Sequence, residues 1–267
     1  MTRNVLITVE YDGSAFHGWQ AQPGVRTVQS ALEEALARVS GEDVRLNGAS
    51  RTDAGVHARG QAASFTGDFG IPACRVPVAA NNLLEGVRVL AAIDVPEGFH
   101  ARFDALGKTY VYRVAASREP DIFLRNYRYF LNESPDKSKM EAAAECLVGT
   151  HDFAAFRTTG GAGSAGSVRT ITGIDIAQHD GTDTQSGAIV ETEIRVTGGG
   201  FMYNMVRIIV GTLVEVGLGV REPGSVAVAL ESLTRASAGH IAPAGGLYLE
   251  RVYYEHGRMD SSMPGQS

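Results

Sequence analysis

The order of strand and helix patterns in the N-terminal part of the chain constrains its fold most strongly. Apolar residues at every second position predict a half-buried strand before a turn at Asp12–Gly13: Val5, Ile7 and Val9. A helix is predicted between the N-cap Thr27 and Gly41, because apolar residues recur there at helical spacing. Two short extended segments, a helix from Pro77 to Leu84 and a strand at Val87–Val95 follow. This β-α-β-β-α-β order is typical of a ferredoxin-like (RRM-like) α+β half, a mostly antiparallel sheet with helices on one face.

The remainder of the chain predicts a second α+β half. Its strands and helices are expected at Lys108–Val114, Tyr127–Leu131, Ser134 to Gly149, Val168–Ala177, Ala188–Val196, a strongly apolar helix after Gly200, Glu222–Thr234 and Tyr248–Tyr254. Residues 159–167 are rich in glycine and serine and predict a flexible loop. We therefore predict an N-terminal half at 1–104, a C-terminal half at 105–256, and a disordered polar tail at 257–267.

Composition excludes several classes of protein. The 267 residues are 44% hydrophobic and 20% charged, which is typical of a globular protein. No apolar run reaches the roughly 20 residues that span a bilayer, and no signal-peptide pattern opens the chain. The two cysteines, Cys74 and Cys146, are not spaced for a zinc ribbon or a disulfide framework. We expect a cytoplasmic protein without a membrane segment.

The net charge bears on nucleic-acid binding. The formal charge of -6 and the pI near 5.7 differ from those of a generic nucleic-acid-binding protein, which is usually basic. Binding to RNA would require basic residues gathered on one surface of an otherwise acidic protein. Nine residues are candidates: Arg26, Arg51, Arg59, Arg102, Lys108, Arg113, Arg157, Arg169 and Arg207.

The segment from Gly48 to His57, GASRTDAGVH, contains the strongest candidate for a catalytic group. If the approach to the turn is extended, the side chains of Arg51 and Asp53 lie on the same face. A guanidinium beside a carboxylate lowers the pKa of the carboxyl group and keeps it ionised. Asp53 would then be presented as a nucleophile or general base. The alternative is a structural ion pair that caps a turn.

Two further residues stand out for chemistry. Arg207 is the only charged residue between Arg195 and Glu215, in a segment whose apolar residues predict a buried helix. A buried guanidinium requires a partner, so Arg207 either pairs with an acid such as Asp53, snorkels to the surface or pairs structurally. Tyr110 shares a strand face with Tyr112 and offers an aromatic surface on which a base could stack, although core packing is the alternative.

These segments resemble the TruA family of tRNA pseudouridine synthases. The family pattern G-R-T-D-A-G-V-H corresponds to residues 50–57, with Ser50 where many members have glycine. Its F-M-x-x-M-V-R-x-I-V-G pattern corresponds to residues 201–211, and its F-H-A-R-F block followed by Y-x-Y corresponds to residues 99–112. The patterns Y-D-G-x-x-[FY]-x-G-W-Q and G-L-Y-L correspond to residues 11–20 and 246–249. The resemblance extends over residues 3–254.

The resemblance implies an active site and a reaction. It implies Asp53 as the catalytic residue, Arg51 and Arg207 as its supports, Tyr110 and Leu247 at the target uracil, and a catalytic cleft between the two halves. The implied reaction isomerises uridine to pseudouridine at positions 38 to 40 in the anticodon stem-loop of tRNA, on a homodimer, with neither metal nor other cofactor. Residues 11–20, with Trp19, are expected to bind RNA or to pack in the core.

Two alternative functions remain open. An RNA-binding chaperone that has lost catalysis would keep a basic and aromatic surface without needing the Arg51, Asp53, Tyr110 and Arg207 set. A carboxylate-dependent glycoside hydrolase would need two catalytic carboxylates, and the sequence offers one in a convincing loop. The histidines have no metal-ligand spacing, and His57 and His100 are expected to form local hydrogen bonds.

Overall fold

The computed structural model describes residues 2–158, 166–183 and 187–255. The chain divides into two compact units. Unit 1 contains the described residues up to Lys108 and from Leu249 onwards, and unit 2 is Thr109–Tyr248. The sequence pattern grouped the last strand with the second half, whereas most of that strand clusters with unit 1. The expected tail at 257–267 and most of the expected loop at 159–167 lie outside the described residues.

Unit 1 has the predicted order of strands and helices. Its elements are β1 (Arg3–Tyr11), α1 (Val28–Ser40), β2 (Asn47–Gly48), β3 (His57–Gly67), α2 (Val76–Asn81) and β4 (Val87–Val95). Strand β1 lies between β3 and β4, and β2 pairs with β3, all of them antiparallel. The resulting order β4-β1-β3-β2 is that of a ferredoxin-like sheet, and the predicted α+β fold class is confirmed.

The predicted ends of α1 are confirmed by hydrogen bonds. The side chain of Thr27 accepts from the Ser30 backbone N–H at 3.2 Å, and the Ser30 hydroxyl accepts from the Thr27 N–H at 3.1 Å. This reciprocal capping box satisfies two N–H groups that the helix itself cannot pair. Gly41 follows the helix with φ of 79°, a left-handed conformation that ends helices.

Helix α2 is shorter than its sequence predicted. It ends at Asn81 instead of continuing to Leu84. The Asn81 side chain exchanges two hydrogen bonds with the backbone of Val89 on β4, at 2.8 and 3.0 Å. These bonds tie Asn81 to the next strand, which accounts for the end of the helix at this residue although the apolar pattern continues.

Strand β1 is buried on both faces, so the prediction of a half-buried strand was wrong. Leu6 and Thr8, expected on the exposed face, are as inaccessible as their neighbours. The segment after β4 covers this second face. The Asn4 side chain donates to the Phe99 carbonyl at 2.8 Å, and Ser64, opposite Leu6 on β3, accepts from the Ala101 N–H at 3.0 Å.

Unit 2 is also α+β. Its elements are β5 (Gly107–Ala116), β6 (Tyr129–Leu131), α3 (Lys137–Ala144), β7 (Gly149–Asp152), β8 (Val168–Asp183), β9 (Gly187–Gly198), α4 (Met205–Gly217) and α5 (Ser225–Ser232). The order within this unit is β5-β9-β8-β7, and β6 pairs with β5 in parallel. The predicted β8–β9 hairpin is confirmed. Strand β10 (Leu247–Tyr253) follows, and in unit 1 it lies beside β3.

Helix α3 starts later than predicted. The sequence placed its start at Ser134, whereas the first helical residue is Lys137. Asp136 is the N-cap, and its carboxylate accepts from the Lys139 N–H at 3.1 Å. An aspartate at this position satisfies an N–H at the helix start and favours the helix dipole, so it outcompetes the upstream serine.

Candidate active site

The loop between β2 and β3 holds the predicted catalytic residue. Asp53 is half-buried, its neighbour Thr52 is buried, and Arg51 is exposed. The Asp53 carbonyl accepts from the Val56 N–H at 3.1 Å, which closes a turn across Ala54 and Gly55. Gly55 has φ of 79°, a conformation that this turn requires and that other residues rarely adopt. The carboxylate therefore stands immediately before a tight turn, as the sequence predicted.

Two buried hydrogen bonds hold Thr52 from the side of β1. Its hydroxyl forms a 2.8 Å bond with the hydroxyl of Tyr11, at the end of β1. Its carbonyl accepts from the Trp19 N–H at 3.0 Å. Both groups of Thr52 are thus tied to residues 11–19, more than 30 positions away in the chain. The residue preceding Asp53 cannot move without breaking these contacts.

Trp19 packs against the start of the same loop. A Cβ added to Gly48 would lie 2.3 Å from Nε1 of Trp19, so only glycine allows the indole to approach this closely. Trp19 is 2% exposed, and its ring lies 6.1 Å from that of Tyr11. Of the two roles expected for Trp19, the structure supports core packing. The aromatic residues Tyr11 and Trp19 therefore support the Asp53 loop, which the sequence did not indicate.

His57 ends the loop in a buried position. Its Nδ1 accepts from the Gly13 N–H at 3.0 Å and lies 3.3 Å from a carboxylate oxygen of Asp12. It therefore forms the local hydrogen bonds expected of it, and it joins the turn after β1 to the start of β3. In the part of the chain that the structure describes, no cluster of three or more His, Cys, Asp and Glu residues is arranged to hold a metal ion.

In unit 2, Arg207 lies on α4, a helix that is buried along almost all of its length. The Arg207 Nε donates to the Ala242 carbonyl at 2.7 Å, and a terminal nitrogen donates to Oδ1 of Asn204 at 2.8 Å. The backbone carbonyl of Arg207 accepts from the Ala242 N–H at 3.1 Å. The Ala242 carbonyl and the Asn204 amide oxygen are thus among the acceptors that orient this guanidinium.

Glu215, two turns further along α4, holds the segment that contacts Arg207. Its carboxylate accepts from the backbone N–H of His240 at 2.9 Å, contacts the His240 ring at 2.7 Å, and binds the guanidinium of Arg221. Burial alone would raise the pKa of Glu215, but the hydrogen bonds from Arg221 and His240 outweigh it and the pKa is lowered. The sequence offered one signal for this role: Glu215 is the first acid after a long apolar run.

Tyr110 and Tyr112 on β5 are both buried. The ring of Tyr110 meets Phe201 edge to face, with 5.3 Å between the ring centroids. The Tyr112 hydroxyl donates to the Pro243 carbonyl at 2.7 Å, and burial raises the pKa of this phenol well above its usual value. Leu247 is buried at the start of β10, four residues after Pro243. Unit 2 therefore joins Tyr112, the 240–243 segment and Arg207 by direct contacts.

The sequence of the chain matches those of known proteins. A family model described as tRNA pseudouridine synthase matches residues 7–104 and 143–255. The chain belongs to the tRNA pseudouridine synthase family. It is 45% identical over 253 residues to tRNA pseudouridine synthase A of Acetivibrio thermocellus, covering 94% of this chain and 100% of that protein. It is 43% identical over 252 residues to tRNA pseudouridine synthase A of Bacillus subtilis, covering 93% and 98%.

None of the helices in the described ranges has the length and apolar character needed to cross a membrane.

Proposed function

We propose that the protein is an isomerase that converts uridine to pseudouridine at positions 38 to 40 in the anticodon stem-loop of tRNA. Membership of the family supports the reaction, since the match extends into both units. The observation that carries the proposal is the loop at Asp53. A half-buried carboxylate follows a residue whose hydroxyl and carbonyl are both held by buried partners. Such restraint is what a positioned nucleophile or base requires.

The reaction conserves every atom of the nucleotide. The bond between N1 of uracil and C1′ of ribose breaks, the uracil turns, and C5 bonds to the same C1′. The hydrogen of C5 leaves as a proton, and N1 gains one. Asp53 acts by attacking C1′ or C6, or by removing a proton from the sugar, and each of these roles requires the ionised carboxylate. The net change is redox-neutral and therefore needs no redox cofactor, and we propose that the carboxylate acts without a metal or an organic cofactor.

The other site residues would position the carboxylate of Asp53 and the uracil of the substrate. We propose that Arg51 and Arg207 favour the ionised form of Asp53, since a nearby guanidinium stabilises a carboxylate. Tyr110 and Leu247 would hold the uracil, which must leave its stack to react and must not escape once it is detached. The edge-to-face contact with Phe201 supports a fixed orientation of the Tyr110 ring.

We further propose that the protein acts in the cytoplasm as a homodimer, with each tRNA contacting both subunits. Sedimentation equilibrium of the full chain, alone and with tRNA, tests the assembly. We expect the mass of a dimer for the protein alone, and the mass of a dimer with bound tRNA for the mixture. A strictly monomeric protein that binds tRNA with normal affinity would contradict this part of the proposal and leave the chemistry intact.

The reaction is tested by tritium release from unmodified tRNA labelled at C5 of uridine, since joining C5 to C1′ expels that hydrogen. We expect release by the wild type and by Asp43→Asn, an exposed carboxylate in the same unit, but none by Asp53→Asn. The inactive variant should keep its circular dichroism and its affinity for tRNA. Turnover by well-folded Asp53→Asn would exclude the catalytic role of Asp53. If no protein, including the wild type, released tritium while tRNA binding stayed intact, the RNA chaperone would be favoured. Free uracil as the product would favour the hydrolase.

A further inference from the structure

The turn at residues 99–104 of unit 1 is held rigidly on the sheet. The Ala101 carbonyl accepts from the Tyr254 hydroxyl at 2.7 Å, and the Ala101 N–H donates to Ser64 on β3 at 3.0 Å. Phe99 contributes its carbonyl to Asn4 and its ring to Tyr254, with 5.3 Å between the ring centroids. Asn4 and Tyr254, from the two ends of the described chain, thus fix the backbone of this turn. The residues on its outer side therefore start from a fixed backbone.

Phe103 stands on the outer side of this turn. It is 76% exposed, although a phenylalanine gains free energy by leaving water. The His100 ring lies 4.3 Å from the Phe103 ring, tilted by 34°, and the Arg102 guanidinium lies 5.8 Å from its centroid. His100 is itself fixed, because its Nδ1 accepts from the Arg102 N–H at 3.1 Å and its own N–H donates to Asp104 at 2.7 Å. A solvent-exposed aromatic ring is thus held between a second ring and a cation.

Arg102 is the cation beside this ring, and its charge also acts on Lys108. The pKa of Lys108 is lowered to about 8, mainly by burial and in addition by the charge of Arg102. Asp104 is the acidic residue of the turn, and its carboxylate is engaged by the backbone of His100. A guanidinium next to an exposed aromatic ring matches the chemistry of a nucleotide, a π-face joined to a phosphate.

We propose that the surface formed by His100, Arg102 and Phe103 binds an unpaired nucleotide of the RNA substrate, with the base stacked on Phe103 and the phosphate next to Arg102. The proposal rests on the proposed function, which supplies the RNA. Stacking does not distinguish between bases, so this contact adds affinity and register without selecting a sequence. A protein partner would instead be expected to need a broader apolar patch than one aromatic ring surrounded by charge.

Fluorescence measures the stacking directly. The single tryptophan of the chain, Trp19, is 2% exposed, and its response to tRNA is measured on the wild type and subtracted. Phe103→Trp places an exposed indole on the turn, and unmodified tRNA should quench its emission as a base stacks on it. Phe123→Trp is the matched control, because Phe123 is 80% exposed and contacts no ring or guanidinium among the described residues. Equal quenching in both variants, or none in Phe103→Trp, would overturn the proposal.

Affinity provides the second test, by filter binding of unmodified tRNA. We expect Phe103→Ala to weaken binding by roughly tenfold, as expected for loss of one stacked base, and Phe103→Tyr to restore it. Arg102→Gln should make the slope of log affinity against log salt shallower, by the amount expected for the loss of about one phosphate contact. Phe123→Ala should bind as the wild type does. Unchanged binding by Phe103→Ala would overturn the proposal.

The two proposals fail separately. If the wild type releases no tritium and Phe103→Ala still weakens tRNA binding, the surface stands and the isomerase does not. If the wild type isomerises uridine and Phe103→Ala binds tRNA normally, the isomerase stands and the stacking surface is rejected.

Discussion

At the residue scale, the position of Asp53 depends on the contacts of its neighbour Thr52. The carboxylate lies next to a buried threonine whose contacts with Tyr11 and Trp19 fix the backbone on one side of it. The turn through Gly55 fixes the other side. A catalytic group misplaced by about 1 Å can lose about a hundredfold in rate. We therefore propose Thr52 as a positioning residue, although it need not touch the substrate.

Removal of the Thr52 hydroxyl tests this dependence. Thr52→Val keeps the shape of the side chain and removes its bond with Tyr11, so kcat should fall by about 10- to 100-fold while KM for tRNA changes little. Unfolding in urea should show a loss of about 1 kcal/mol. Thr52→Ser retains the hydroxyl and should restore kcat. If Thr52→Val lowered stability but left kcat unchanged, the hydroxyl pair would be structural only.

Gly48 offers a second test at this scale. In Gly48→Ala the new methyl group would lie 2.3 Å from Nε1 of Trp19, so the indole or the loop must move. We expect a loss of stability of about 1–3 kcal/mol from overpacking, together with reduced turnover. Gly98→Ala is the matched control in the same unit, since nothing lies within 4 Å of the added carbon. Equal stability of the two variants in urea would contradict the close approach of Trp19.

At the element scale, the sequence pattern correctly predicted those features that depend on residues close together in the chain. Helix α1 could be placed because Thr27 and Gly41 act within one turn of the helix ends. The end of α2 could not, since it depends on side-chain bonds to Val89 in the next strand. The burial of both faces of β1 could not either, since it depends on the turn after β4, where Phe99 lies 95 positions from Asn4. The same limit applies to the site. The motif predicted Asp53 as the candidate catalytic residue. The bond between Thr52 and Tyr11 could not be predicted, because it joins residues 41 positions apart.

The contact between helix α4 and the 240–243 segment should stabilise the fold in a way that depends on pH, because it is made through Glu215. The pKa of its carboxyl is lowered in the folded protein, because hydrogen bonds from Arg221 and His240 outweigh burial. The ionised carboxylate therefore stabilises the fold at pH values above the unfolded pKa of about 4.3. This stabilisation is lost as the pH falls through the folded pKa.

Urea unfolding of Glu215→Gln measures this contribution. At pH 7 the variant should be less stable than the wild type by about 1–3 kcal/mol, as expected for hydrogen bonds to a charged group. The difference should shrink below pH 4, where the wild-type carboxyl takes up its proton. Glu222→Gln, an exposed acid before α5, should show little effect at either pH. A constant difference between Glu215→Gln and the wild type at all pH values would show that the charge is not the source of the stabilisation.

At the scale of the whole molecule, the sign of the net charge opposes the proposed substrate. Thirty acidic and 24 basic residues leave -6, and tRNA is a polyanion. Of the nine basic residues that the sequence singled out, five are exposed, and four of these belong to unit 1: Arg26, Arg51, Arg59 and Arg102, with Arg157 in unit 2. Binding through local cations and repulsion by the total charge predict opposite responses to salt.

The salt dependence of tRNA binding decides between these effects. Cations that neutralise phosphates release counterions, so affinity falls as salt rises, by roughly 0.7 to 0.9 log units per phosphate for each log unit of salt. We expect a slope steeper than about -2, corresponding to three or more phosphates at that rate. Repulsion by the net charge of -6 would be screened by salt and would give the opposite sign. Filter binding between 50 and 300 mM salt measures the slope, and an affinity that rises with salt would contradict binding through exposed arginines.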